Sequence, residues 1–351
     1  GGSSSGYGET NNVTAHNSQI FGNDTQIILT STLDGFVSGV NGYNDNYVNL
    51  IGIEQNGSSS LTSDSLSLTN DQTFGDNTRV ILSSMRKEQP ASEGGEFSST
   101  ENLNGISQSD SGGSQTFGKN TQILLKNRVG NLTIGNGGTG VSSDSSLIGI
   151  NQTNSKNSTQ TFGDNTQISL ENTLGGVTTG DSENTIDMRI EAKGIDQGTY
   201  KTGNNQIFGN NTQINLNNHV GDLVSGGGES SINLDSQVVG VSQSGSSGNN
   251  QIFGENTQIK VESKAGAIKN ADFAEIDFSA KGVEQASRGA QMIFGNGTQV
   301  TVHAEIGVIE GLQELNSSVN AYGIYSVGSL EDDLVFEGDL SVQATIKPLI
   351  R

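Results

Sequence analysis

Apolar and polar positions alternate strictly over short stretches of this chain. Ile186, Met188, Ile190 and Ala192 share one parity, while Asp187, Arg189, Glu191 and Lys193 share the other. Ala274, Ile276, Phe278 and Ala280 repeat the pattern against Glu275, Asp277 and Lys281. Period-two alternation predicts strands with one face in a core and one in water. A glycine follows each stretch, and the apolar parity then changes: Ala192 is followed by Ile195, and Ala280 by Val283. Glycine there suits a bulge or corner that re-aims the side chains. Another stretch sets Thr121, Ile123 and Leu125 against Gln122, Leu124 and Lys126. The segment before it reads as a strand and a tight turn, because the Gly and Asn of Phe-Gly-x-Asn tolerate positive φ. Helix signals are nearly absent, so the expected fold class is all-β.

These stretches recur. A motif close to Gln-x-Phe-Gly-x-Asn-Thr-Gln-Ile-x-Leu is centred on Phe21, Phe74, Phe117, Phe162, Phe208, Phe253 and Phe294, at intervals of 53, 43, 45, 46, 45 and 41 residues. A second landmark, Gly-(Ile/Val)-x-Gln, closes each copy, as at Gly149-Ile150-Asn151-Gln152; the last copy, Gly323-Ile324-Tyr325-Ser326, lacks the Gln. A fixed period of this length predicts units that bury their apolar faces against each other. The expected architecture is a β-solenoid of seven repeats of about 45 residues, with a seven-bladed β-propeller as the alternative. Residues 1–18 read as a flexible Gly/Ser/Asn-rich leader, 19–326 as the solenoid and 327–351 as a C-terminal strand segment. Residues 85–90 read as a loop protruding from one rung, carrying the extra residues of the longest interval, and both prolines fall outside the motifs.

Stacked copies place equivalent residues one strand spacing apart, about 4.7–4.9 Å. The seven motif phenylalanines are then expected to stack. The final Gln of the motif (Gln26, Gln122, Gln167, Gln213, Gln258 and Gln299) is expected to form an amide ladder, interrupted by Arg79. Asn77, Asn120, Asn165, Asn211 and Asn256 form a further column, with Asp24 and Gly297 at its ends. In the tail, Leu340, Val342, Ala344 and Ile346 alternate with polar residues. This strand either caps its own chain or contacts the first rung of a second subunit.

Composition narrows the classes. Of the 351 residues, 30% are hydrophobic and 49 are Gly, which suits a thin core shared between stacked units better than a globule. Disordered tracts share such composition but need not keep apolar residues in phase. With 17 Lys and Arg against 38 Asp and Glu, the net charge of −21 argues against nucleic-acid partners. No run of 18 apolar residues is present, so no helical membrane span is expected. The chain opens Gly1-Gly2-Ser3-Ser4-Ser5-Gly6 with no Met, as a processed mature chain or an artificially trimmed one would.

Gln206, Gly209 and Asn211, with equivalents in the other repeats and a preceding Ile-x-Gln, resemble the repeat of curlin subunits of bacterial biofilm fibres. Curlin repeats are about half this long, place their glycine one position earlier and lack the Phe. The resemblance implies an extracellular fibre subunit stacked as an amyloid-like β-solenoid.

Catalytic constellations are absent from the pattern. His16, His219 and His303 lie in different repeat contexts, there is no Cys, and Glu331-Asp332-Asp333 matches no calcium-loop spacing. No enzyme activity, cofactor or metal is expected. Asn-x-Ser/Thr sequons recur, for example at Asn23, Asn131, Asn210 and Asn296, and mark surface loops as sugar-bearing candidates. The expected function is a structural, secreted subunit of an extracellular self-assembling filament or biofilm matrix, with copies of itself as partner, head to tail. The alternative is a monomeric solenoid adhesin or carbohydrate-binding surface module, with surface glycans as partner. Ice binding would need a flat Thr array, and each motif supplies one recurring Thr.

Overall fold

The computed structural model describes residues 13–34, 42–56, 66–92, 95–109, 113–136, 138–153, 157–180, 183–198, 203–227, 229–327 and 333–350. Among them are 28 strands and no helix. They form three sheets of 8, 13 and 7 strands. Pairing in each sheet is parallel and joins a position to its equivalent one repeat away: Gln160 to Gln206, Ile168 to Ile214, Ile186 to Ile232. This is a β-solenoid-like stack with one rung per repeat. The antiparallel blades of a propeller have no counterpart in it.

One rung shows the path. The strand Thr159–Phe162 lies in the first sheet, Gln167–Leu174 and the short Val177–Thr178 in the second, and Thr185–Gly198 in the third. Inward positions are buried as the alternation predicts: Ile186, Met188, Ile190 and Ala192 are all at most 2% exposed. The core runs along the axis inside the three sheets, from Ile53 to Ile309.

The turn after each Phe divides the work between its two special residues. The Asn takes positive φ, from 55° to 59° at Asn77, Asn120, Asn165, Asn211 and Asn256. The Gly does not, correcting the reading that both serve the same purpose. A Cβ on Gly163 would lie 2.6 Å from the Gly118 carbonyl carbon, so Gly is needed there for close approach of rungs. The motif Thr turns inward: Thr166 is fully buried and donates to the Gly163 carbonyl at 2.8 Å. That removes it from any surface Thr array of the kind ice binding would require.

The landmark glycine marks a corner within one continuous strand. A Cβ on Gly194 would meet the Gly240 carbonyl oxygen at 2.4 Å and Ile214 Cγ2 at 2.9 Å. The chain bends here because nothing larger fits between adjacent rungs.

Two readings of length are corrected. Pro90 lies in a short strand, Gln89–Ser92, at the end of the second sheet's strand order, and that strand pairs with Leu132–Ile134 through a register shift. Proline is tolerated at such an edge or bulge. The extra residues of the longest interval lie elsewhere: seventeen positions separate Gln55 from Gln72, against seven between Gln108 and Gln115. Part of that longer stretch extends the strand Leu66–Phe74, which pairs with Val13–Phe21 over nine residues. Residues 13–18, read as leader, therefore belong to a strand; residues 1–12 lie outside the described residues.

The tail adds a partial rung. Asp333–Phe336 pairs with Gln291–Phe294, and Leu340–Ile350 pairs with Thr298–Glu310, setting Leu340, Val342, Ala344 and Ile346 beside Thr298, Val300, Val302 and Ala304. No helix of the described residues is long and apolar enough to cross a membrane.

Candidate functional site

Repetition in register turns single residues into columns, and the columns are the most organised chemistry in the molecule. The phenylalanines stack with centroids 4.7–5.0 Å apart from Phe21 to Phe294 and ring planes within 6° of parallel. Phe336, which sequence reasoning did not single out, continues the column at 5.9 Å and 23°. Such spacing is within the range of favourable stacked aromatic pairs.

The Asn column sits on the exposed turn. Asn77 Nδ2 donates to Asp24 Oδ1 at 2.9 Å, and Asn120, Asn165, Asn211 and Asn256 each donate to the preceding side-chain oxygen at 3.0–3.4 Å. In several rungs the residue before this column adds a second thread. Asn23 and Asp164, for example, accept the backbone N–H of Asp76 and Asn210 in the next rung.

The Gln ladder is present at other positions than expected. Gln26, Gln122, Gln167, Gln213, Gln258 and Gln299 are register neighbours on the outer face of the second sheet. Among the described residues they make no side-chain ladder. They share the parity of Leu124 and Lys126, so they point into water, where an amide gains little from a neighbour. The buried ladder uses the first Gln of the motif instead: Gln72, Gln115, Gln160, Gln206 and Gln251 each donate to the preceding Gln at 2.8–3.1 Å, starting from Gln19. A second one uses the landmark Gln, running Gln55, Gln108, Gln152, Gln197, Gln243 at 2.6–3.0 Å. Several of these amides use their other N–H on a backbone carbonyl: Gln72 on Ser107, Gln108 on Asn70, Gln206 on Ser242. The two ladders thus close the corner where the third sheet returns to the first.

A third polar column lies in the core itself. Asn127 donates to Asn172 at 3.0 Å, Asn172 to Asn218 at 2.9 Å and Asn218 to Ser263 at 3.1 Å, with Ser145 and Ser236 completing the network. The signal was available: Asn127 continues the inward parity of Ile123 and Leu125.

These columns predict a contrast. Gln160→Leu leaves the Gln115 oxygen and a Gln206 N–H unpaired inside the protein and should cost about 2 kcal/mol in urea unfolding. Gln167→Ser, on the wet face, should change stability by less than about 0.5 kcal/mol.

One rung breaks the pattern with charge. Arg86 and Glu101 are 5% and 1% exposed, with Nη1 and Oε1 3.4 Å apart and the guanidinium 4.8 Å above the Phe97 ring. Among the described residues, neither Arg86 Nη1 nor Glu101 Oε2 has a hydrogen-bond partner. Burial pushes the Glu101 carboxyl up to about 7 despite Arg86, and burial lowers the Arg86 value. The other ion pairs among the described residues are more exposed, from the half-enclosed Lys193–Asp196 at 3.0 Å to Lys126–Glu171 at 2.9 Å on the surface. No cluster of three or more potential metal ligands occurs among the described residues.

Thus the fold defines a polar, ladder-built β-solenoid-like rod. No family model matches the chain, and neither a curated protein nor a solved structure is significantly similar to it.

Proposed function

We propose that the protein is a structural subunit of an extracellular self-assembling filament or matrix: seven repeats with a partial closing rung, stacked end to end with copies of itself. The supporting observation is that the Phe column and its sheet reach both ends of the rod. Phe21 is only partly buried at one end, and Phe336 is 47% exposed at the other. Apolar side chains gather beside it, with Leu334 46% and Val342 45% exposed. A further rung supplied by a second copy would cover these groups and extend the strand ladders. The resemblance to curlin repeats points the same way.

A second reading, a capped monomeric stalk or adhesin, is favoured by a different observation. Both Gln ladders stop short of the C-terminal rungs: Met292 stands in register with Gln251, and Gln285 donates to Asn249 and Ser287 rather than to Gln243, so that Gln243 Oε1, Gln251 Oε1 and Gln285 Oε1 are buried without partners among the described residues. Atypical terminal units are how repeat arrays are capped. Negative-stain microscopy over a concentration series separates the two. Long unbranched filaments that vanish on deletion of residues 334–351 support the first reading, and persistent single rods overturn it.

A further inference from the structure

Along one flank, the second sheet turns into its short continuation strand, and the corner is concave to solvent. It forms an open groove of about 730 Å³ crossing four rungs from Met85 to His219. A second depression of about 440 Å³ continues it past Thr133 and Thr178, sharing Asn131, Gly176 and Gly221.

The floor is bare main chain. A Cβ on Gly130, Gly175 or Gly221 would lie 2.3–2.4 Å from the backbone of a neighbouring rung, so no side chain can fill the corner. Its N–H groups are already committed, Gly130 to the Arg86 carbonyl, Gly175 to Val129 and Gly221 to Leu174, at 2.8–2.9 Å. A peptide therefore finds no free strand edge to extend.

One wall carries Met85, Arg128, Thr173 and His219 as a register column, and the other carries Thr133 and Thr178. Two carboxylates lie nearby and keep their charge: Glu88 accepts from Asn131 Nδ2, and Asp222 accepts the Ala267 N–H. Lys87 pairs with Asp34. Arg128 is exposed and, among the described residues, has no carboxylate within ion-pair distance. On a chain of net charge −21, an unpaired guanidinium beside hydroxyls and amides selects for a ligand with few anionic groups and many hydroxyls. A nucleic acid, with a phosphate at every step, would be repelled by the surrounding surface. The polar groups also recur at the strand spacing of about 4.8 Å, which suits a ligand that is itself a repeating chain.

We propose that this groove binds an extended, sparsely acidic polysaccharide along the rod axis. Arg128 pairs with a sugar carboxylate, and Asn131, Thr133, Thr173 and Thr178 hydrogen-bond sugar hydroxyls. The site lies on the flank and is independent of whether the ends polymerise.

The test is titration of fluorescently labelled, largely methyl-esterified oligogalacturonate that keeps a few free carboxylates into the full chain, with its fully esterified neutral counterpart and poly-glutamate as comparison probes. The proposal expects binding of the carboxylated sugar, weakening with salt, and about tenfold loss in Arg128→Gln. Arg79→Gln, an exposed cation outside the groove, should leave binding and melting unchanged. No binding of the carboxylated sugar, equal binding of the neutral one, or equal loss in both variants overturns the proposal. Tighter Arg128-dependent binding of poly-glutamate would overturn the assignment to a glycan.

Discussion

Arg86→Met, with Glu101 retained, will lower the stability of the protein by about 3–5 kcal/mol, because it leaves a buried carboxylate with no compensating charge. Replacing both residues, Arg86→Met with Glu101→Leu, will restore most of that loss or exceed the wild type. The columns explain why. Arg86 stands in register with Leu33 and Val129, and Glu101 with Val48 and Ser145, so neighbouring rungs already hold apolar or small side chains there. The pair is imperfect as well as buried, at 3.4 Å with two polar atoms unsatisfied. Urea unfolding of the wild type, both single variants and the double variant forms a cycle that isolates the coupling.

The same pair gives the rod a pH dependence of defined sign. The Glu101 carboxyl titrates near 7 in the folded chain against an ordinary value of 4.5. Below about 4.5 it is protonated in both states. As pH rises towards 7 the unfolded chain loses this proton first, so stability falls, and above about 7 the loss is complete. Its size is about 3 kcal/mol over that window. Comparing the wild type with Glu101→Gln between pH 4.5 and 8 should show this extra decline in the wild type only.

Phe162→Ala will cost about 3–5 kcal/mol, the range for emptying a buried aromatic site. The ring is 2% exposed and stacks on both sides, 5.0 Å from Phe117 and 4.9 Å from Phe208. Removing it opens a gap between two faces that hold the stack together only through nearest neighbours. Phe336→Ala, at a ring 47% exposed with one stacking partner, should cost only about 1 kcal/mol. Urea midpoints of the two variants measure the difference directly.

Much of this architecture was legible from residue parity and period alone. The alternation around Ile186 placed four side chains inside and four outside, and the Phe spacing placed seven rings one rung apart. The Gln ladders run through other positions than the motif's final Gln, although the same parity contains the answer. Gln122 shares its face with Leu124 and Lys126, whereas Gln115 shares the inward parity of Phe117. Proline suggests a loop, which draws the extra length of the longest interval towards Pro90. Pairing shows a strand there and places the extra residues before Gln72. The Arg86–Glu101 pair was hidden because charged residues at inward positions run against the rule that makes parity useful. The partial closing rung depends on Phe336, which lies outside the repeated motif and gains meaning only when stacked.

The central claim is one rung per repeat, in register from one repeat to the next, and electron–electron distance measurement tests it most directly. The chain has no cysteine, so Gln26→Cys and Gln299→Cys accept spin labels without side reactions. Both positions lie in one outward column of the second sheet, six repeats apart. The account predicts a single distance distribution centred near 29 Å, six strand spacings, from pulsed dipolar spectroscopy. A centre near twice that value, or a broad distribution with no defined peak, would contradict it.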